Sequence, residues 1–478
     1  MGDRETYEDH LTAPRGLGAL RGAPHSGAAG GAACGDLVRV SVCVEDGMIA
    51  RAGFDAEGCG AATAAGSAAV ECVLGRSVLD AARVGARDIA DALGGLAPGK
   101  MHAADLAADA LHRALGRAAL EASLPQAPAR TLVGMSGGVD STVVAHLAGP
   151  EAVGVTLELW GDPENDGERS CCSAQAVLSA RALAHGMGLP HFTLDARERF
   201  RAEVVDDFVA GYEGGSTPNP CVRCNGLVRF DAMLRLAGAL GAPRLATGHY
   251  ARIADGPLLM AARDTNKDQS YMLARLTPPE LERLSFPLGE LTKPEVRRIA
   301  RGAGLPVADR PDSQDLCFLA GTRRDRFLRR HGRRRPAAGE IVTVDGRPLG
   351  SHSGHEGFTV GQRRGLGLAA GEPLYVVGKD AAANRVIVGP RSALTTVRIP
   401  VEGVRLLRDT AEINRVKLRY RQAPVGCRAA PADDRDAIEL RLDEPLDGGA
   451  APGQLACLMS GDLVVGWGTI GEAATRAA

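Results

Sequence analysis

No run of about 18 consecutive apolar residues occurs in the 478-residue chain, which excludes an ordinary membrane-spanning helix. The first ten residues, MGDRETYEDH, are too charged for the apolar core of a secretory signal. Without an export signal, the 11 cysteines are expected as reactive or metal-bound thiols rather than disulfide staples, in a cytosolic protein with no membrane partner. Aromatic residues are scarce at 4% while glycine and alanine abound; hydrophobic residues still reach 45%, so this reads as compositional bias of the genome. Net charge is only −2, and it is unevenly spread. Residues 1–125 hold 16 acidic and 11 basic side chains, and the rest hold 42 and 45. The basic excess sits in RRDRFLRRHGRRR, Arg323 to Arg335, where eight arginines face one aspartate. Such a run is either a solvated face or a surface for a phosphate backbone. Internal repeats are absent, and the length suits two to four domains.

One stretch organises the rest: Thr131 to Leu147, TLVGMSGGVDSTVVAHL. A short apolar strand meets Ser136-Gly137-Gly138-Val139-Asp140-Ser141, and an apolar helix follows. Backbone N–H groups and the positive helix end then converge on an anion, and the glycines let the chain come close. The lysine of a Walker A loop is missing, so this is not a GxxxxGK[ST] site. SGGVDS resembles instead the PP-loop of ATP pyrophosphatases, which adenylate a substrate and release pyrophosphate. Strands at Ala152 to Trp160, His191 to Leu194 and Arg244 to Thr247 alternate with helical segments, which implies a parallel, doubly wound α/β sheet with its ligand at the strands' carboxyl ends.

Residues 1–125 read as a separate α+β unit. Asp36 to Val44 alternates like a strand, Asp46-Gly47 makes a hairpin turn and Met48 to Phe54 returns. Ala61 to Leu74 and Met101 to Leu120 have helical spacing. Cys34, Asp36, Cys59 and His102 offer thiolate, carboxylate and imidazole, ligands suited to zinc or iron. Cys34-Gly35-Asp36, then GCGAATAAGS, then MHAADLAADA resemble the NifU and IscU iron–sulfur scaffold family. That family closes its ligand set with His-Cys, and here the pair is His102-Ala103, which leaves two cysteine ligands in place of three. Either weak metal binding or a relic kept for packing and docking follows. Cys43 and Cys72 are expected in the core, and Cys427 and Cys457, with Cys171 and Cys172, as buried or incidental.

Two further cysteine sites flank the strand Arg244 to Thr247. In TPNPCVRCN the prolines fix an irregular loop, and an amphipathic helix from Leu227 to Leu240 would place Cys224 near its N-terminus, where thiolate is favoured. The second is Asp312-Ser313-Gln314-Asp315-Leu316-Cys317-Phe318. A lone CxxC reads as a zinc half-site or a redox pair. Together SGGVDS, DGERSCCS, TPNPxxxCN, ATGHYAR, NKDQSYML, FPLGELTKPEVRRIA, DSQDLCFL, FTVGQRRGLG, LRYRQ and PGQLA, in this order, resemble the bacterial tRNA-specific 2-thiouridylases from about Arg130 to Ile470.

That resemblance implies replacement of the C2 oxygen of the tRNA wobble uridine by sulfur. Gly134, Met135, Ser136, Gly137, Gly138, Val139, Asp140 and Ser141 would bind ATP, with Leu157 and Gly248 near the adenosine and Asp140 a ligand for Mg2+. Cys317 would carry a persulfide and Cys224 would be its partner nucleophile. The flipped base would meet Asn219, Pro220 and Cys221, and His249, Lys267, Asp268, Gln269, Arg419, Tyr420 and Gln454 match positions that touch tRNA. A cysteine desulfurase or another sulfur donor is the expected partner. The family has Asp where this chain has Cys221, so Cys221, Cys224 and Cys317 form either a persulfide pair with a third thiol or a three-thiolate site for a [4Fe–4S] cluster. The expected division is a scaffold-like domain at 1–122, a linker at 123–130, the PP-loop domain at 131–330, a small β-rich connecting domain at 331–396 and a C-terminal β-barrel at 397–478. Two rivals remain. An iron–sulfur or sulfur-carrier scaffold needs no ATP, and other PP-loop ligases need no paired cysteines.

Overall fold

The computed structural model describes residues 2–472 apart from 19, 21, 31–34, 163–173, 312–315, 334–336, 433 and 435. Cys34, Cys171, Cys172 and Asp312 to Asp315 therefore lie outside the described residues.

The N-terminal domain is a three-stranded antiparallel sheet, His25–Gly30, Leu37–Glu45 and Met48–Glu57, backed by helices Gly60–Val73, Ala86–Ala92 and Met101–Ala119. Glu45 pairs with Met48 across a two-residue turn. Asp46 (φ 49°) and Gly47 (φ 76°) are both left-handed, as a type I′ hairpin turn demands. Helix Gly2–Thr12, concealed in a charged sequence, docks by burying His10, whose Nδ1 lies 2.8 Å from Ser67 Oγ.

The second layer is a five-stranded parallel sheet in the order Leu284–Ser285, Arg244–Thr247, Thr131–Gly134, Ala152–Glu158, His191–Asp195. The N-terminal domain is not separate from it. Twelve of the 19 residues of Met101–Ala119 are buried, too many for a helix with a single inner face. Ala and Gly keep it thin, so it packs on its own sheet and on the edge strand His191–Asp195, and Leu111, Leu115, Val155 and Phe192 share one core. A Cβ on Gly116 would run into the Thr193 carbonyl oxygen. Arg113 adds an ion pair to the buried Glu158, 2.6 Å away. Residues 123–130 are pinned as well, Leu124 N–H donating to Ala239 O (2.7 Å) and Ala127 N–H to Gly241 O (2.9 Å).

Strands Pro348–His352, Gly339–Thr343, Arg385–Gly389 and Tyr375–Asp380 form the connecting sheet. Within this domain Phe358 to Gly367 holds no strand and runs through turns and irregular backbone. Strands Thr396–Leu406, Ile438–Leu446, Val425–Pro431, Arg415–Lys417, Leu455–Ser460 and Leu463–Ile470 close into a barrel where the first pairs with the last. Cys427 and Cys457 are buried here, and burial pushes both thiols up to about 12. Cys72 is half-buried against the N-terminal core, but Cys43 lies among polar neighbours, with Arg51 Nη2 3.7 Å from its sulfur. Part of the arginine run is helix Arg324–His331 with Phe327 and Leu328 buried, and Arg324 donates to Gly357 O (2.7 Å), so some of its charge ties domains together.

Candidate active site

Strand Thr131–Gly134 lies at the centre of the sheet and ends in the glycine loop. Gly137 takes φ 74°, a left-handed value that turns successive N–H groups inward, and Gly138 caps helix Val139–Ala148. Ser141 Oγ accepts from Ser136 N–H (3.1 Å) and donates to Gly138 O (3.2 Å), so the cradle is braced by its own serine. Gly248 follows the neighbouring strand so closely that a Cβ there would lie 2.8 Å from Ser141 N. Met135 and Leu157 are buried, 3% and 6% exposed, in two different cores.

The cation missing from the loop comes from elsewhere. Lys293 Nζ lies 2.7 and 2.8 Å from the two Asp140 carboxylate oxygens, and Tyr250 OH donates to Oδ1 at 2.9 Å. Lys293 opens helix Lys293–Gly302, where a capping box joins Thr292 and Glu295 and Asp264 accepts the Lys293 N–H at 3.0 Å. Arg310 donates to Gly137 O (3.0 Å). Sequence reading missed these residues. The signal was present in TKPE: a helix start marked by a capping box and proline, with a cation placed where the dipole disfavours one.

Two of the cysteines lie on a helical run that leads back into the sheet. The helical run that holds them begins at Pro220, not at Leu227, because Asn219 Oδ1 accepts the Val222 N–H (3.3 Å) and proline stands in the first turn. Cys221 is in the first turn and Cys224, 6% exposed, at the end of this short helix, three residues on and on the same face. The run continues through Asn225–Arg229 and Phe230–Ala239 into the parallel strand Arg244–Thr247. It therefore lies antiparallel to that strand, with its N-terminal part at the strands' carboxyl ends. Phe230 and His249 meet there with ring centroids 5.7 Å apart. Cys317 opens a short turn whose Phe318 packs edge-on against Phe200 (5.9 Å) and Phe208 (5.1 Å). Phe200 touches Trp160, just past the end of strand Ala152–Glu158 (6.3 Å).

The expected RNA contacts divide into two groups. Lys267, Gln269, His249, Arg419 and Tyr420 are exposed or half-exposed. Asp268 is buried, accepting from Ala262 N–H, Ser270 N–H and the Ser270 hydroxyl and pairing with buried Lys417 at 2.6 Å, which fastens the barrel to the PP-loop domain. Gln454 donates from the barrel to Thr217 O (2.6 Å) and Pro218 O (3.3 Å), holding the loop before Asn219 and Pro220.

In the N-terminal domain Asp36, Cys59 and His102 converge, with one ligand atom from each within 4.8 Å of the others. This is the only such three-donor group among the described residues. His102 Nδ1 sits 3.0 Å from Gly99 O, which leaves Nε2 toward Asp36 Oδ2 at 3.2 Å. The Cys59 backbone N–H, then its thiol, then His102 hold the Asp36 carboxyl below the usual carboxylate range. The set suits a Zn2+-type ion through Asp36, Cys59 and His102. Ala103 is buried and offers no ligand.

The chain matches the tRNA methyl transferase HUP domain family over residues 129–321. It also matches the NifU-like N terminal domain (3–119), the tRNA methyl transferase PRC-barrel domain (325–390) and the aminomethyltransferase beta-barrel domain (401–470). It is 46% identical over 481 residues to the bifunctional protein NifU/MnmA of Rubrobacter xylanophilus, covering 97% of each chain. It is 46% identical to the tRNA-specific 2-thiouridylase MnmA of Methylobacterium sp., over 74% of this chain and 98% of that one. Against the tRNA-specific 2-thiouridylase MnmA of Xanthobacter autotrophicus the figures are 44%, 72% and 93%.

Proposed function

The chain belongs to the bifunctional NifU/MnmA family, and from that premise we propose how its own residues thiolate tRNA. It is an ATP-dependent tRNA 2-thiouridylase with a NifU-like domain at its N-terminus. The observation that carries the mechanism is the convergence of the glycine cradle, Lys293 and the cysteine-bearing helix on one edge of the parallel sheet. The wobble uridine O2 attacks the α-phosphate of ATP held by Gly134 to Ser141, between Leu157 and Gly248, and pyrophosphate leaves. Cys317 carries a persulfide. The Cys224 thiolate attacks its inner sulfur, forming a Cys224–Cys317 disulfide and releasing hydrosulfide, which attacks C2 and expels AMP. A dithiol reductant then returns the pair to thiols. His249, Lys267, Gln269, Arg419 and Tyr420 bind the tRNA, and Asn219 to Cys221 line the base pocket. Asp268 and Gln454 position those loops. Lys293 occupies both Asp140 carboxylate oxygens, so a Mg2+ ion would be held chiefly by the nucleotide phosphates, where it would neutralise the charge of the departing pyrophosphate.

A second reading of the sulfur step is favoured by Cys221. Cys221 and Cys224 lie three residues apart on one helix, and if Cys317 joined them they would hold a [4Fe–4S] cluster with an open iron, which would present an extra sulfide. Mass spectrometry of tRNA nucleosides tests the assignment: a strain lacking the gene should lose 2-thiouridine and regain it with the wild-type gene. Unchanged 2-thiouridine in the null strain would refute it.

The NifU-like domain docks the sulfur donor, a cysteine desulfurase in the cytoplasm. Deleting residues 1–122 would strip the core shared with Val155 and Phe192, so a point change is the sounder test. Cys59→Ala should slow transfer from the protein donor about tenfold while sparing activity with free sulfide. Equal rates with both donors would contradict the role.

A further inference from the structure

Between the cysteine-bearing helix and the barrel lies a pocket of about 250 Å3. Asn219 and Val222 form one wall, Leu455 and Trp467 the other, and Arg223 and Arg275 enter it. The two arginines differ. Arg223 is committed to Glu203 (3.5 Å) and Asp207 (3.4 Å). Arg275 has no carboxylate within ion-pair distance and no hydrogen-bond partner among the described residues; its guanidinium lies 4.5 Å over the Trp467 ring. Burial, then the neighbouring Arg223 charge, makes its protonated state less favourable than usual. With Asp207 of the lining already paired to Arg223, the Arg275 cation seated over Trp467 is left to gain from a bound anion. The volume falls below the roughly 300–1,000 Å3 of sites that enclose a whole small molecule, and suits a phosphate group. Asn219 links the pocket to the chemistry, because it also caps the helix bearing Cys221 and Cys224.

We propose that this pocket binds a backbone phosphodiester of the RNA substrate beside the nucleotide being modified, with Arg275 as the anion ligand and Trp467 as the platform that orients it. The proposal rests on the tRNA reading above, but its test does not depend on thiolation. Trp467 is one of two tryptophans, so a Trp160→Phe background isolates its fluorescence. Titration with a uridine-containing oligoribonucleotide should change that signal, and the change should vanish with Arg275→Ala. Should Trp160→Phe not fold, the same titration is read on the wild-type chain as a difference against Trp467→Phe. In filter binding, Arg275→Ala should weaken tRNA affinity about tenfold and lower the slope of log K against log salt by about 0.7–1. Arg275→Lys should recover only part, because an ammonium does not stack as a guanidinium does. Circular dichroism and ATP binding serve as measures of folding. An unchanged salt slope and affinity would overturn the proposal. So would a Trp467 response to inorganic phosphate or ATP as strong as that to RNA, which would mark a general anion site. If the wild-type chain makes no 2-thiouridine yet RNA binds through Arg275, the enzymatic assignment fails and the pocket stands.

Discussion

Cys224→Ser and Cys317→Ser should each lower tRNA 2-thiouridine formation on the order of 10^3-fold or more, the scale of losing a nucleophile. A serine hydroxyl neither carries a transferable sulfur nor ionises near neutral pH, so with the protein donor the sulfur step has no substitute, whereas free sulfide should bypass the change. Pyrophosphate release with tRNA should persist in both, because adenylation is carried by the glycine cradle and Lys293. Loss of pyrophosphate release together with thiolation would show that the cysteines serve folding or binding instead. Cys221 decides between the two sulfur carriers. Under the persulfide route, Cys221→Asp stays active and iron is absent throughout. Under the cluster route, anaerobically reconstituted protein holds about four irons per chain, and removal of any one of the three cysteines abolishes both iron and activity.

The other large effect is expected at Lys293. Lys293→Met should slow tRNA-dependent pyrophosphate release about 10^2- to 10^3-fold, comparable to removing one preorganised group that stabilises transition-state charge. The ammonium sits 2.7 Å from Asp140 Oδ1, in the first turn after the cradle, and only 8% of the lysine is exposed. Removing it leaves the Asp140 carboxylate facing the polyphosphate with its principal cation gone. Lys293→Arg should restore part of the rate. Asp140→Ala should abolish release too, and the double variant should be no worse than the single ones, as for residues acting as a unit. Wild-type release by Lys293→Met at low and saturating ATP would exclude the role.

The chemistry was legible wherever it depends on short local patterns. SGGVDS between an apolar strand and helix, Asp46-Gly47 between alternating strands, and β/α alternation through Arg244 to Thr247 each fix local geometry through backbone sterics and hydrogen bonding within a few residues. The thiol set and the Asp36, Cys59, His102 group were likewise visible as residue types. Helix Arg197–Phe200 and its continuation to Glu213 also had a readable stripe in Phe200, Val204, Phe208 and Tyr212, which the prominence of the flanking motifs obscured.

Tertiary structure alone decided which charges meet and which surfaces are inside. Lys293 reaches Asp140, and Lys417 reaches Asp268, across long stretches of chain; no periodicity encodes such pairs, because loop closure brings together residues that are not neighbours in sequence. Asp268 looks like an exposed acid in NKDQ and is buried because the barrel closes over it. The N-terminal domain reads as independent because Pro125 and Pro128 interrupt the pattern after it. It is welded to the sheet because the small residues of Met101–Ala119 let the helix pack on two sides at once, a property of close packing that appears only when both partners are in place.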